Sequence, residues 1–181
     1  MLLHRRRIVL MVLGTLVVAS NAGAQTAPAA ITRIRERYDR IQNGLSKLRA
    51  VKMTADEGAD AEAIAYYDGT QLRKVLCRGL YAGAPVQHYY FWNNQVIFVL
   101  DSRPPETAPN QPARQNRFYF DNGKLIRWVD AAGNPVQAGS KAFIQYQKDF
   151  RRTGDYWLKM TRGRDFTHLE VSRGVVPVAV Q

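Results

Sequence analysis

The chain predicts an α+β fold: an antiparallel meander of about six strands built from three β-hairpins, with an N-terminal helix packed on one sheet face and a second helix towards the C-terminus. Three observations lead there. Tyr66-Tyr67-Asp68-Gly69-Thr70-Gln71-Leu72, Tyr90-Phe91-Trp92-Asn93-Asn94-Gln95-Val96 and Tyr119-Phe120-Asp121-Asn122-Gly123-Lys124-Leu125 align column for column as aromatic pair, polar turn and aliphatic return strand. An apolar stripe of helical period precedes these repeats. A second stripe follows them.

The first residues have the pattern of a cleavable export signal, with a cationic His4-Arg5-Arg6-Arg7, an apolar run from Ile8 to Ala19 and small residues at Ala22-Gly23-Ala24. Residues 1–24 are therefore expected to be removed after Ala24, leaving a periplasmic or secreted chain. The apolar run is shorter than the roughly 20 residues a spanning helix needs. Residues 25–181 suit a single domain with its own core. The formal charge of the whole chain is +11, and losing the leader's three Arg leaves it basic, so its neighbours outside the cytoplasm would be anionic polymers, lipid headgroups or acidic proteins. Cys77 has no second cysteine to pair with and sits in an apolar return strand, where a small buried hydrophobe is the expected role.

A small-residue linker, Gln25 to Ala30, leads to Ile31, Ile34, Tyr38, Ile41, Leu45 and Leu48, spaced by threes and fours. Arg33, Arg35, Glu36, Arg37 and Arg40 fall on the wetter side, and Asn43-Gly44 ends the helix through a left-handed cap. In the third hairpin Asn122-Gly123 predicts a two-residue turn, because both central residues of a type I′ turn need positive φ. Asn93-Asn94 meets the same demand, and Asp68-Gly69-Thr70 closes with a bulge or a longer loop.

Strict alternation from two-residue turns puts Tyr89, Phe91, Val96, Phe98, Leu100, Phe118, Phe120, Leu125 and Val129 on one face, the expected core under the N-terminal helix. The other face holds His88, Tyr90, Trp92, Ile97, Val99, Arg117, Tyr119, Ile126 and Trp128, joined by Tyr66, Arg73 and Val75. Arg103 to Gln115 is rich in proline and polar residues and predicts an exposed, flexible loop. Ser140 caps the second helix, whose Phe143, Tyr146 and Phe150 share one side and which Gly154 interrupts. Phe166 to Val171 reads as a short edge strand and 174–181 as a loose tail.

Neither a catalytic nor a metal site emerges. The mature chain offers His88, His168, Cys77 and scattered acids without ligand spacing, and no nucleophile elbow, phosphate loop or dinucleotide fingerprint is present. No cofactor is expected. The enzymatic alternative places a general acid or base at His88, with Asp121 or Asp130, or at His168. Nucleic acid is not an expected partner, given the export signal and basic residues spread over both helices. Lys148, Arg151, Arg152, Lys159, Arg162 and Arg164 form a basic cluster interleaved with Asp149, Asp155 and Asp165, so a solvated helix face competes there with an anionic membrane or polymer surface.

With the Tyr-Tyr and Asn-Gly-Lys-Leu-Ile-Arg columns in view, residues 62–130 resemble a group of small exported bacterial proteins of unknown function, in which a helix precedes aromatic hairpins. They are also distantly similar to MORN-type hairpin repeats, although their columns sit 24 and then 29 residues apart and the regular Gly and Trp positions of that repeat are missing. The resemblance implies fold and compartment, and interaction rather than catalysis.

The expected function is therefore recognition of a protein or cell-envelope polymer through the aromatic second face. Tyr66, Arg73, Tyr90, Trp92, Arg117, Tyr119 and Trp128 would be the binding residues, types enriched at hot spots. The competing expectation is that the C-terminal helix buries this face as a second core layer.

Overall fold

The computed structural model describes residues 22–54, 61–79, 84–103 and 114–161. Helix α1 (Ala22–Asn43) leads through a 3-10 turn (Leu45–Lys47) into β1 (Arg49–Thr54), β2 (Ala61–Asp68), β3 (Gln71–Gly79), β4 (Val86–Trp92), β5 (Gln95–Arg103), β6 (Arg114–Asp121) and β7 (Lys124–Val129), and helix α2 (Lys141–Thr161) follows. The strands pair antiparallel in chain order, β1 to β7, giving the expected α+β meander. Residues 49–54 supply a further strand, because Val51 and Met53 point inward and Lys52 outward.

Each repeated hairpin closes on a two-residue turn. Gly69 takes φ +59, Asn93 and Asn94 take 49 and 55, and Asn122 and Gly123 take 48 and 73. Each return strand then carries one extra residue at the same column, Arg73, Ile97 and Ile126, where the register shifts. Such a bulge reverses which face every later residue meets. Strict alternation consequently fails beyond it. Phe98, Leu100 and Val129 lie with Tyr90, whereas Val75, Val99 and Trp128 lie with Phe91.

Once the bulges are counted, both faces are apolar and each amphipathic helix buries one. Helix α2 covers Tyr89, Phe91, Val96, Val99, Phe118, Phe120 and Leu125 with Phe143, Phe150 and Leu158. Helix α1 covers Tyr90, Ile97, Phe98 and Tyr119 with Ile31, Ile34 and Ile41, and Tyr38 stands edge-on to Tyr90 at 4.9 Å. The expected pairing of the N-terminal helix with the Phe91 face is thus corrected: that face belongs to the C-terminal helix. Burying each such aromatic or aliphatic side chain stabilises the fold by about 1.5–3 kcal/mol before ordering costs are counted.

Several local expectations change with this packing. The stretch Gln25 to Ala30 is part of α1 rather than a linker, with Pro28 inside the helix. The helix ends at Asn43 as expected, but Gly44 has φ −93 and donates to the Arg40 carbonyl at 3.1 Å, so the chain tightens into the 3-10 turn without a left-handed cap. Ser140 does cap α2, its Oγ accepting from the Phe143 N–H at 3.3 Å. Gly154 does not interrupt α2; it is buried within it, against Val96. Arg103, Arg114 and Gln115 belong to strands. Residues 104–113, the Phe166–Val171 strand and the 174–181 tail lie outside the described residues, as does most of the leader. Among the described residues no helix is long and apolar enough to cross a membrane.

Candidate functional site

Arg37 and Arg40, three residues apart, lie one helical turn from each other on the same side of α1. Below them β4 ends in Trp92, just before the Asn93-Asn94 turn, and the β3 bulge presents Arg73 from the neighbouring strand. The three guanidinium groups converge on the indole, at 4.3 Å for Arg73, 5.4 Å for Arg37 and 5.5 Å for Arg40 from the ring centroid. Each such contact is worth about 0.5–2 kcal/mol, depending on how far the cation is desolvated. The indole draws positive charge together that would otherwise repel.

Few carboxylates answer this charge. Asp68 Oδ2 accepts from Arg73 Nη2 at 3.1 Å and from Nε at 3.3 Å, while no described carboxylate pairs with Arg37 or Arg40. Arg73's side chain is 12% exposed and Asp68's is 62% exposed, so the guanidinium is fixed in the structure and its carboxylate partner stands in solvent.

The same bulge turns Lys74 towards α1. In the other two hairpins the equivalent pair is Ile97-Phe98 and Ile126-Arg127, so Arg73-Lys74 puts two cations where the repeat's second copy puts two apolar groups. Lys74 is 5% exposed; its Nζ donates to Gln42 Oε1 at 3.1 Å and lies over the rings of Tyr66 and Tyr90 at 5.7 and 5.3 Å. Burial lowers its amine to about 8. The repeat columns mark Lys74 in the sequence, a cation where the second copy has Phe98, although it is not one of the aromatic types that suggest a binding face.

Of the residues expected to bind, the structure brings Arg73 and Trp92 together. Tyr90 and Tyr119 are buried under α1, and Tyr66 is buried beside Lys74, instead of forming an open face, which corrects both the exposed reading and the expectation that the C-terminal helix would be the cover. Burial also raises the phenols of Tyr66 and Tyr90. Trp128 lies on the opposite face, stacked on Phe118 at 5.2 Å, with its Nε1 donating to Asn116 Oδ1 at 3.2 Å. Arg117 is exposed on β6, in the row of Leu100 and Val129, and takes no part in the cluster.

His88 is half-buried and its Nδ1 meets no partner. Desolvation, reinforced by the charges of Lys74 and Arg78, lowers the imidazole to about 4. The acids proposed beside it are engaged elsewhere. Asp121 pairs with Arg33 at 3.7 Å, and Asp130 accepts from the N–H groups of Ala132 and Asn134. Cys77 is free and half-buried, its thiol raised by burial. His168, Arg162, Arg164 and Asp165 lie outside the described residues. On α2, Arg152 pairs with Asp149 at 3.5 Å and Arg151 with Asp155 at 4.0 Å, so the basic cluster there is partly self-neutralised. Among the described residues no group of three or more His, Cys, Asp and Glu could hold a metal ion.

No family model, no curated protein and no solved structure matches the chain.

Proposed function

We propose that the protein is an exported, non-enzymatic binding protein that holds an anionic partner, a protein or cell-envelope polymer, at the arginine ring around Trp92. The observation that carries this reading is the convergence of three guanidinium groups on one indole with, among the described residues, a single carboxylate, Asp68, to answer them. An anion arriving there meets Arg73 already held against the indole, so that cation has little side-chain entropy left to lose. Arginine and tryptophan are also the types that most often dominate interface energetics. The compartment rests on the leader pattern at residues 1–24 and the partner's charge on the basic balance of the chain.

The test is a titration with soluble polyanions, poly-L-glutamate and polyphosphate, at low and high salt. Wild type should bind at least one of them, weakening as salt screens the contact. Replacing Arg37, Arg40 and Arg73 together by Gln should weaken binding about tenfold or more, while Gln at Lys148, Arg151, Arg152 and Lys159 should change it less than about threefold. The opposite ranking would move the site to the outer face of α2, and no binding by wild type at low salt would end the proposal.

A further inference from the structure

Resting on that reading, the structure assigns a ligand class and an internal competitor to the ring: we propose that it takes a carboxylate of an acidic peptide segment, and that Asp68 occupies the receiving edge of Arg73 until the peptide displaces it. Arg73 lies 4.3 Å from the Trp92 centroid, with Nε and Nη2 both turned to a single oxygen, Oδ2 of Asp68. Two N–H groups on one edge of a planar cation suit a carboxylate, which can take both with its two oxygens where Asp68 offers one. The intramolecular contact is thus an incomplete version of the one a free carboxylate could make.

Asp68 is also built to leave. Its side chain is 62% exposed, against 32% for Asp121, the equivalent residue of the third hairpin, and it adjoins a two-residue turn whose backbone is set by Gly69 at φ +59. Swinging the carboxylate into solvent therefore disturbs neither the turn nor the core. Arg37 and Arg40 are left without a carboxylate partner among the described residues, so a segment with several acidic side chains could engage them as well as Arg73. A lone carboxylate would reach only one member of the ring.

The experiment compares wild type, Asp68→Asn, Arg73→Lys and the double variant for affinity to poly-L-glutamate and to polyphosphate, with melting curves to confirm that each is folded. Asp68→Asn is expected to bind poly-L-glutamate about fivefold more tightly, the size of an exposed ion pair released to a ligand. That gain should disappear in the double variant, because lysine keeps the charge but not the two-N–H edge, and polyphosphate should gain less than poly-L-glutamate. If Asp68→Asn leaves wild-type binding of poly-L-glutamate unchanged, the competitor role is wrong while the binding reading stands. A gain that survives Arg73→Lys overturns the edge contact in favour of general charge, and an equal or larger gain with polyphosphate overturns the carboxylate assignment. Should wild type bind neither polymer, the underlying reading fails and this inference goes with it.

Discussion

Lys74 and Asp101 are two buried charges with different environments. Asp101 accepts from Gln87 Nε2 at 3.1 Å and from Arg103 Nε at 3.2 Å, so its charge is answered. Lys74 has a neutral amide oxygen and two ring faces, and its burial disfavours the ammonium. The sign of the consequence follows from proton counts. Below about 8 both folded and unfolded chains hold the Lys74 proton and the burial cost is present in full; between about 8 and 10.5 the folded protein has lost it while the unfolded chain keeps it, so stability gains with rising pH. His88 acts on the acid side, where the unfolded chain takes a proton from 6.5 downward and the folded imidazole resists until about 4, so stability is lost as pH falls through that window. Urea unfolding of wild type and Lys74→Met from pH 7 to pH 11 should show the variant lacking an alkaline gain on the order of 3 kcal/mol. His88→Phe should flatten the acid limb in the same way. Superimposable curves for wild type and variant would mean that the group in question stays solvated in the folded protein.

At the scale of elements, α2 lies close against the sheet at Gly154. A Cβ there would overlap Val96 Cγ2 and touch Phe91 Cε1, so glycine permits an approach that any side chain would block. Alanine gains about 1 kcal/mol of helix propensity. Overpacking costs about 1–3 kcal/mol and should exceed it, so Gly154→Ala is expected to lower the melting temperature, with Val96→Ala in the same chain recovering part of the loss. A Gly154→Ala protein more stable than wild type would show that α2 can lift from the sheet at no cost.

The Asn93-Asn94 and Asn122-Gly123 turns, the end of α1 near Gly44 and the Ser140 cap are legible because each depends on chemistry within a few residues, whereas the two-residue turn at Gly69-Thr70 is not marked by such a pair. The bulges were harder to read. Val96-Ile97-Phe98-Val99-Leu100 is apolar at every position, so an added residue leaves no polar side chain misplaced and nothing in the pattern marks the slip. The first hairpin does carry a mark: Leu72 and Val75, three apart, both face α2, and the two cations between them turn to α1. Arg73 and Trp92 could be chosen by residue type. Arg37 and Arg40 could not, since a helix face turned to solvent and one turned to a ligand are written in the same residues. The buried state of Tyr90 and Tyr119 depended on which helix crosses which face, a long-range outcome that local periods do not encode.

For the molecule as a whole, the two helices cover both central sheet faces among the described residues, and the proposed binding residues lie where α1 meets the hairpin turns. The export proposal bears on how α1 begins. If the leader is cut after Ala24, Pro28 falls in the first turn of the mature helix, where the backbone N–H groups have no helical acceptor and a proline removes nothing. Sequencing the protein recovered from outside the cytoplasm should therefore give Gln25 as its first residue. Recovery only from the cytoplasm, with the leader intact, would refute the compartment.

The strand order has a kinetic meaning as well. Every strand lies beside its neighbours in the chain, and three of the six pairings are joined by two-residue corners that their own residues set. No strand must wait for a distant segment to arrive, and closing each corner costs little chain entropy. Such a sheet can zip outward from any of its corners, and it should assemble quickly for a protein of its strand content, with the late step being the landing of the two helices.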